Sequence, residues 1–177
     1  MHCQPSIRLG WGSTRNPFFT FPGLKIRSCC DSDIPFLRRL YGTTRAAELS
    51  TTGWSGREKN TFLVQQFNAQ HTDWQKRFPH ACYLLLLKKK TPIGRLCLDI
   101  YGESVRIVDL SLLPEVQGQG IGSSILVTLI GESRQLTKPL ELSVDPINVR
   151  AQLLYHSLGF VETSRDHSRI HLTYHLK

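Results

Sequence analysis

The sequence has no apolar run long enough to span a membrane. A membrane-spanning helix needs about 20 consecutive apolar residues. The longest run here, ACYLLLLK at 81–88, has the length of a strand and is followed by Lys89 and Lys90. The chain has 177 residues, of which 40% are hydrophobic, enough to bury a sizeable core in one domain. We therefore expect a single globular domain and no membrane partner.

Cysteine is scarce and follows no metal-binding pattern. The five cysteines are an odd number and include no C-x-x-C pair. Disulfide frameworks use an even number of cysteines and zinc sites use closely spaced pairs such as C-x-x-C, so neither is expected. Two of the five, Cys82 and Cys97, lie within strand-like runs. We predict reduced thiols in a cytoplasmic protein.

Acidic residues are fewer than basic ones, 14 against 22, which gives a net charge of +8. The basic residues are scattered, and they form no stripe and no motif interleaved with aromatic residues. The run Lys88–Lys90 lies between two strand patterns, where a solvated hairpin turn accounts for it. A nucleic acid is therefore not the partner we expect, whereas a polyanionic nucleotide cofactor suits the charge.

The first 23 residues differ from the rest of the chain. They contain no acid, carry Pro5, Pro17 and Pro22, and show no periodic apolar face. We predict a flexible leader or tail over 1–23 and one domain over 24–177. A transit peptide is the alternative, because such peptides are also basic and poor in acids.

From Leu24 onward the hydrophobic periodicity is regular and predicts a mixed α/β (α+β) fold. Helical spacing follows the first strand pattern, and a second helical stretch ends near Phe78. The predicted order of elements is β-αα-βββ-α-β-α-ββ. Its strands correspond to LKIRS, ACYLLLLK, PIGRLCLDIYG, SVRIVDLSLL, LELSV, FVETSR and RIHLTYHL.

Three glycines, Gly118, Gly120 and Gly122, stand between a predicted strand and a predicted helix. The first turn of a helix has unpaired N–H groups and binds anions, and glycine lets a phosphate approach the backbone closely. A P-loop is excluded because no lysine follows Gly122 before Lys138. A dinucleotide fingerprint would place Ser123 where its third glycine belongs, with Glu141 as its acidic partner. That alternative and a glycine turn without a ligand both stay open on the glycines alone.

Two motifs together resemble the GNAT superfamily of N-acetyltransferases. The first is Gln117-x-x-Gly120-x-Gly122, and the second is the run N-x-x-A-x-x-L-Y-x-x-x-G-F that starts at Asn148. Their order and spacing match the acetyl-CoA signature and the later helix of that family. The resemblance covers about residues 24–177. It implies a mostly antiparallel central sheet of about six to seven strands, flanked by about four helices.

The resemblance also implies which residues contact acetyl-CoA. The strand residues Leu110, Ser111 and Leu112 match the segment whose backbone pairs with the pantetheine arm. The pyrophosphate cradle corresponds to Gln117, Gly118, Gln119, Gly120, Ile121 and Gly122. Asn148 matches a cofactor-contacting residue that also caps its helix. Tyr155 matches the usual general acid and contacts the cofactor as well. A phenol has a reference pKa of about 10, so it carries a proton at neutral pH.

The general base is not assigned by the sequence. Some members of the family use a glutamate near the strand before the second motif, but this chain has Ser143 at the matching position. Asp109, Glu141 and Asp145 are the candidate carboxylates in these strand and loop segments, and His156 lies next to Tyr155. A relay through water to bulk solvent is a further alternative.

The acceptor side corresponds in the resemblance to the segment 45–56, which joins the first two helices. Its only acid, Glu48, and its aromatic Trp54 predict a site for an ammonium group. In the alternative reading, Glu48 pairs with Arg45 and Trp54 packs in the core.

The predicted activity is transfer of an acetyl group from acetyl-CoA to a primary amine of a small molecule or peptide. A non-catalytic acetyl-CoA-binding regulatory module and a basic nucleic-acid-binding protein are the alternatives. The oligomeric state is open, a homodimer included.

Overall fold

A computed structural model describes residues 20–176, which form one seven-stranded sheet with helices on both faces. The strands are β1 Lys25–Ser28, β2 Cys82–Lys88, β3 Thr91–Asp99, β4 Val105–Leu112, β5 Leu140–Val144, β6 Val161–Arg165 and β7 Ile170–Tyr174. The helices are α1 Ile34–Thr44, α2 Ala46–Ser50, α3 Gly56–Arg77, α4 Ile121–Gln135 and α5 Val149–Ser157. Two short 3-10 turns, Asp31–Asp33 and Pro114–Val116, precede α1 and α4.

The sheet has the strand order β1-β2-β3-β4-β5-β7-β6. Every neighbouring pair is antiparallel except β4 and β5, which are parallel. The predicted mixed, mostly antiparallel sheet is therefore confirmed, and the predicted order of elements is confirmed except for one additional helix between β1 and β2. The helix between β4 and β5 is a crossover, since parallel strands cannot be joined by a hairpin.

The structure has five α-helices where about four were expected, because the first helical stretch is interrupted at Arg45. There the backbone turns to φ −106° and ψ 1°. The hydroxyls of Thr43 and Thr44 donate to the carbonyls of Leu40 and Tyr41, at 2.7 and 2.8 Å. Hydroxyl bonds of this kind compete with the helical ladder, which accounts for the break between α1 and α2.

Each face of the sheet has its own apolar cluster. On the face covered by α4 and α5, the α4–α5 face, buried residues of the strands meet Ile125, Leu126 and Leu129. On the opposite face, the α1–α3 face, Leu37 and Phe67 pack on Tyr83 and Leu85. Burial of both faces fixes the register of the sheet, because a shift of one residue would reverse every side chain.

The predicted leader at 1–23 lies largely outside the described residues. The four that are described, 20–23, include Phe21, which is 3% exposed and belongs to the cluster on the α4–α5 face. Its carbonyl accepts a hydrogen bond from the N–H of Leu24 at 3.1 Å. The packed part of the chain thus begins before Leu24. Between residues 20 and 176, no helix has both the length and the apolar character to cross a bilayer.

Candidate active site

The parallel strands β4 and β5 separate partway along their length. They pair from Val105 opposite Leu140 to Ile107 opposite Leu142, and there the pairing ends. β4 continues to Leu112, so its residues 108–112 have an open edge within the described structure; we call this opening the β4–β5 gap. An open edge with free N–H and C=O groups can pair with an extended ligand as another strand would.

Leu110 and Leu112 present their backbone groups to this gap. The N–H of Leu113 donates to the carbonyl of Ile93 at 2.9 Å, which places Leu113 in a hydrogen-bonded pair with β3. Because bonding alternates along an antiparallel ladder, Ser111 bonds toward β3, and Leu110 and Leu112 point the other way. The side-chain amide of Gln117 confirms this direction, since its Nε2 donates to the Leu112 carbonyl at 2.8 Å.

A β-bulge lies at the inner end of the gap. Cys97 pairs with Asp109 and Leu98 with Ile107, so Val108 is an extra residue in β4. Bulges bend a strand and change the direction of its side chains. Val108 here packs on the α1–α3 face, while Leu110 packs on the α4–α5 face. The bulge therefore helps β4 to turn away from β5.

The glycine loop, residues 117–122, closes the outer end of the gap. Gly118 and Gly120 have φ of 76° and 77°, values that residues with a side chain rarely adopt. The first helical bond of α4 runs from the N–H of Ser124 to the carbonyl of Gly120, at 2.9 Å. The N–H groups of residues 118–123 donate to no acceptor among the described residues. Such a set of free N–H groups at a helix start binds anions.

Two basic side chains flank the glycine loop. Lys88 Nζ donates to Oε1 of Gln119 at 3.1 Å. A Cβ built on Gly118 would lie 3.3 Å from Nη2 of Arg150, the second residue of α5. Sequence reasoning had assigned Lys88 only to a hairpin turn and had not singled out Arg150. Both contacts join segments distant in sequence, so nothing in the sequence pattern indicated them.

The second motif forms the start and middle of α5. Asn148 is the N-cap, and its Oδ1 accepts from the N–H of Ala151 at 3.2 Å, so the predicted cap is confirmed. Tyr155 packs on the α4–α5 face, with its ring centroid 5.8 Å from that of Phe160. Its hydroxyl makes no hydrogen bond to any residue between 20 and 176. Burial, with a contribution from the charge of Asp109, raises the pKa of Tyr155 to about 12.

Asp109 is held at the bulge by a buried cation. Its Oδ2 accepts from Arg95 Nε and its Oδ1 from Ser111 Oγ, both at 2.9 Å. Arg95 is 3% exposed, and its guanidinium carbon lies 4.8 Å from the ring centroid of Trp74. Both carboxylate oxygens are thus engaged in defined hydrogen bonds. Asp109 acts here as a fixed negative charge near Tyr155.

The other base candidates of the sequence are spread around this region. Glu141 pairs with Arg106 across β4 and β5. Asp145 Oδ1 accepts from the N–H of Ile147 at 3.0 Å in the loop before α5. His156 is exposed, with Nδ1 3.2 Å from the carbonyl of Phe160. Ser143 Oγ lies 3.1 Å from Nδ1 of His171.

The predicted acceptor residues lie on separate elements. Glu48, on α2, pairs with Arg45 at 2.9 Å, and Arg45 Nε donates to the hydroxyl of Tyr41 at 3.1 Å. Trp54 is 41% exposed and packs edge-on against Phe62, with ring centroids 5.3 Å apart. Both aromatic rings line an open groove beside α3. The acceptor role of Glu48 and Trp54 stays a prediction.

Comparison with known proteins identifies the family. Residues 46–160 match the Acetyltransferase (GNAT) family, and the chain belongs to that family. Its members take the acetyl group from acetyl-CoA, which is therefore the co-substrate of this acetyltransferase. The open edge of β4 and the free N–H groups of the glycine loop fit that co-substrate. No curated protein matches the sequence.

Solved structures show the same fold at low sequence identity. PaiA N-acetyltransferase from Thermoplasma acidophilum, in complex with coenzyme A, is 17% identical, with a TM-score of 0.65 over 86% of this chain and 99% of that one. A spermidine N-acetyltransferase chimera of SpeG from Vibrio cholerae and hSSAT is 20% identical, with a TM-score of 0.60 over 87% and 95%. The putative acetyltransferase yncA from Salmonella typhimurium, with acetyl-CoA, is 18% identical, with a TM-score of 0.52 over 88% and 95%.

Proposed function

We propose that this protein transfers the acetyl group of acetyl-CoA to a primary amine of a small molecule or a peptide. The observation that carries the proposal is the open edge of β4, which runs from the glycine loop at one end to the surroundings of Tyr155 and Asp109 at the other. This arrangement suits a ligand with a diphosphate at the glycine loop, an extended arm along β4 and a reacting thioester near Tyr155. A cytoplasmic location and a single domain over 24–177, extended at its start to include the buried Phe21, belong to the same proposal.

The glycine loop would hold the diphosphate of acetyl-CoA. Its unpaired N–H groups supply donors, and the partial positive charge at the start of α4 favours an anion. A Cβ on Gly120 would meet no atom within 4 Å, so the loop faces open space rather than packed protein. Lys88 and Arg150 add two positive charges beside it. Gln117 and Gln119 fix the loop through their bonds to Leu112 and Glu115, at 2.8 and 2.9 Å.

The backbone of β4 would hold the pantetheine arm and assist the transfer. Leu110 and Leu112 direct donors and acceptors into the β4–β5 gap, as a neighbouring strand would require. When an amine attacks a thioester, negative charge develops on the acetyl oxygen. We propose that the N–H of Leu110, which points into the gap, stabilises that charge. Asn148 would contact the co-substrate with its side-chain Nδ2, because its Oδ1 already caps α5.

Tyr155 would protonate the departing thiolate. Its hydroxyl has no protein partner among the described residues, and its pKa of about 12 keeps it protonated far above neutral pH. A general acid must hold its proton until the leaving group needs it. Burial by the α4–α5 cluster therefore serves the chemistry as well as the packing.

An amine is the acceptor that the charges favour. Asp109 at the inner end of the gap is already paired with the buried Arg95, so the negative charge proposed to attract a cationic acceptor is that of Glu48. Glu48 and Trp54 are proposed to hold the acceptor, by charge and by cation–π contact. The names of two similar structures, PaiA N-acetyltransferase and the spermidine N-acetyltransferase chimera, also favour an amine.

The proposal is tested by offering acetyl-CoA with a panel of amines, from polyamines to peptides with free N-termini, and measuring free thiol. Amine-dependent thiol release and an acetylated amine in the mass spectrum are expected. Gly120→Asp should abolish both, because it places a carboxylate where the diphosphate binds. Gly131→Asp, on α4 at a position with equally open surroundings, is the matched control and should retain activity.

A further inference from the structure

Three polar side chains form a hydrogen-bonded chain on the α1–α3 side of the sheet. Ser143 Oγ on β5 lies 3.1 Å from Nδ1 of His171 on β7. His171 Nε2 lies 3.3 Å from Oδ2 of Asp166, in the turn between β6 and β7. When Ser143 donates to Nδ1, the ring proton is on Nε2, which donates to Asp166.

Strand pairing places these groups together. Ser143 pairs directly with His171 in the antiparallel ladder of β5 and β7. Leu142 and Val144, the neighbours of Ser143, are buried on the α4–α5 face, so alternation turns Ser143 and His171 to the opposite face. A hydroxyl and an imidazole on one face of adjacent strands are within hydrogen-bonding reach.

Asp166 is fixed as an anion by its own turn. Its Oδ1 accepts from the N–H of Ser168 at 2.7 Å, from Ser168 Oγ at 2.8 Å and from the N–H of Arg169 at 2.8 Å. These bonds, together with that from His171, hold the pKa of the Asp166 carboxyl well below its usual range. The turn therefore presents a permanent negative charge to His171 Nε2.

The chain of hydrogen bonds begins at the β4–β5 gap. Leu142 is the last residue of β5 that pairs with β4, and Ser143 follows it where the strands separate. Ser143 faces the α1–α3 side, whereas Tyr155 belongs to the cluster on the α4–α5 side. The two hydroxyls thus approach the gap from opposite faces of the sheet. In an acetyl transfer, the amine attacks the carbonyl carbon and the thiolate leaves from the tetrahedral intermediate, so the group that takes the amine proton and the group that protonates the thiolate act at different positions around that carbon.

We propose that Ser143 and His171 form the general base of the transfer, with Asp166 as the positioning residue that orients the imidazole; this rests on the proposed function. As the amine nitrogen forms its bond to the acetyl carbon, one of its protons passes to Ser143 Oγ, and the Ser143 proton passes to His171 Nδ1. The carbon–sulfur bond breaks, and Tyr155 supplies a proton to the thiolate. The imidazolium formed is paired with Asp166 and later releases its proton to solvent, from which Tyr155 is reprotonated.

Carboxylates near His171 other than Asp166 are already paired, and Arg169, two positions before His171, is an exposed cation. On β6, Glu162 and Arg165 bond to each other at 2.8 and 2.9 Å. Across β5 and β4, Glu141 pairs with Arg106. Asp109 has both oxygens engaged by Arg95 and Ser111. Asp166 is therefore the carboxylate that stabilises the imidazolium form of His171. Its removal should shift the pH dependence of the reaction in a predictable direction.

The test measures kcat and kcat/KM by thiol release between pH 5 and 10, with the amine that the wild-type protein acetylates. His171→Asn should lower kcat by about a hundredfold to ten-thousandfold and remove the acid limb of the profile. Asp166→Asn should move that limb to lower pH, because the imidazolium loses its anionic partner. Ser143→Ala should lower kcat, and Ser143→Thr, which keeps the hydroxyl, should restore most of it.

His80→Asn is the matched control, since this exposed histidine lies against Tyr101, away from the chain of hydrogen bonds. Acetyl-CoA affinity, measured by calorimetry, should be unchanged in all variants. An active wild type with His171→Asn that keeps its kcat and its acid limb overturns the relay and leaves the acetyltransferase standing. Equal losses of kcat and of acetyl-CoA affinity also overturn it, because they indicate a structural role. A wild type that acetylates no amine overturns the proposed function, and the relay with it.

Discussion

A carboxylate at Gly122 should separate co-substrate binding from fold stability. Gly122 lies in the first turn of α4 at a φ that any residue adopts, and a Cβ there would lie 3.8 Å from the Leu112 side chain. Gly122→Asp therefore fits without steric or backbone strain and directs a negative charge toward the outer end of the gap. Gly120→Asp adds the same charge, but at a φ of 77° that itself strains the backbone.

Gly122→Asp should affect the stability of the protein and its affinity for the co-substrate in opposite directions. In the protein alone, an acid in the first helical turn interacts well with the helix dipole, which stabilises by about 0.3–1 kcal/mol. With the co-substrate, one negative charge at about 5 Å from a diphosphate of charge about −2 costs about 2–7 kcal/mol at an effective dielectric of about 80 to 20. That range corresponds to binding weakened from about thirtyfold to about a hundred-thousandfold. Stability should thus be unchanged or slightly raised while affinity falls steeply.

Calorimetry with coenzyme A and thermal unfolding of the unliganded protein measure the two effects. Gly122→Ala is the control, because it adds the Cβ and improves helix propensity by about 1 kcal/mol without charge. Its affinity should stay much closer to that of the wild type. Unchanged coenzyme A affinity in Gly122→Asp would refute the placement of the diphosphate at the glycine loop. A large fall in the melting temperature of the unliganded Gly122→Asp protein would instead mean that the loop has a structural role.

Three further substitutions have expected outcomes. Tyr155→Phe keeps the packing against Phe160 but removes the proton, so kcat should fall about tenfold to ten-thousandfold while acetyl-CoA affinity changes little; wild-type turnover would leave Tyr155 as a core residue. Phe21→Ala should destabilise by about 3–5 kcal/mol in urea unfolding, because the ring is buried; an unchanged midpoint would show that the packed chain starts after it. Glu48→Gln should raise KM for the amine and not for acetyl-CoA, and equal effects on both would remove it from the acceptor site.

The sequence predicted those features of the fold and of the site that depend on residues close together in the chain. Apolar runs, alternation and helical spacing predicted all seven strands and the order of the elements except for the additional helix α2, because burial leaves a local pattern in most segments. The glycine loop was predicted for a similar reason: positive φ at Gly118 and Gly120 requires glycine whatever the rest of the fold does. The cap at Asn148 is likewise decided within a single helical turn.

Contacts between distant strands could not be read from the pattern. Ser143 and His171 are 28 positions apart, and only the register of β5 against β7 brings them together. The pairing of Arg95 with Asp109 depends on the bulge at Val108, which shifts the side-chain alternation of β4 by one residue. The sequence therefore named Asp109 as a base candidate without revealing that a buried cation already holds it.

Amine-dependent thiol release is the most direct test of the central claim. Purified protein, acetyl-CoA and a panel of primary amines are incubated together, and free coenzyme A thiol is measured beside the mass of each amine. At least one amine should gain an acetyl group in step with thiol release, and Gly122→Asp should lose both. Binding of acetyl-CoA without acetylation of any amine would contradict the proposed function and favour a regulatory acetyl-CoA-binding module instead.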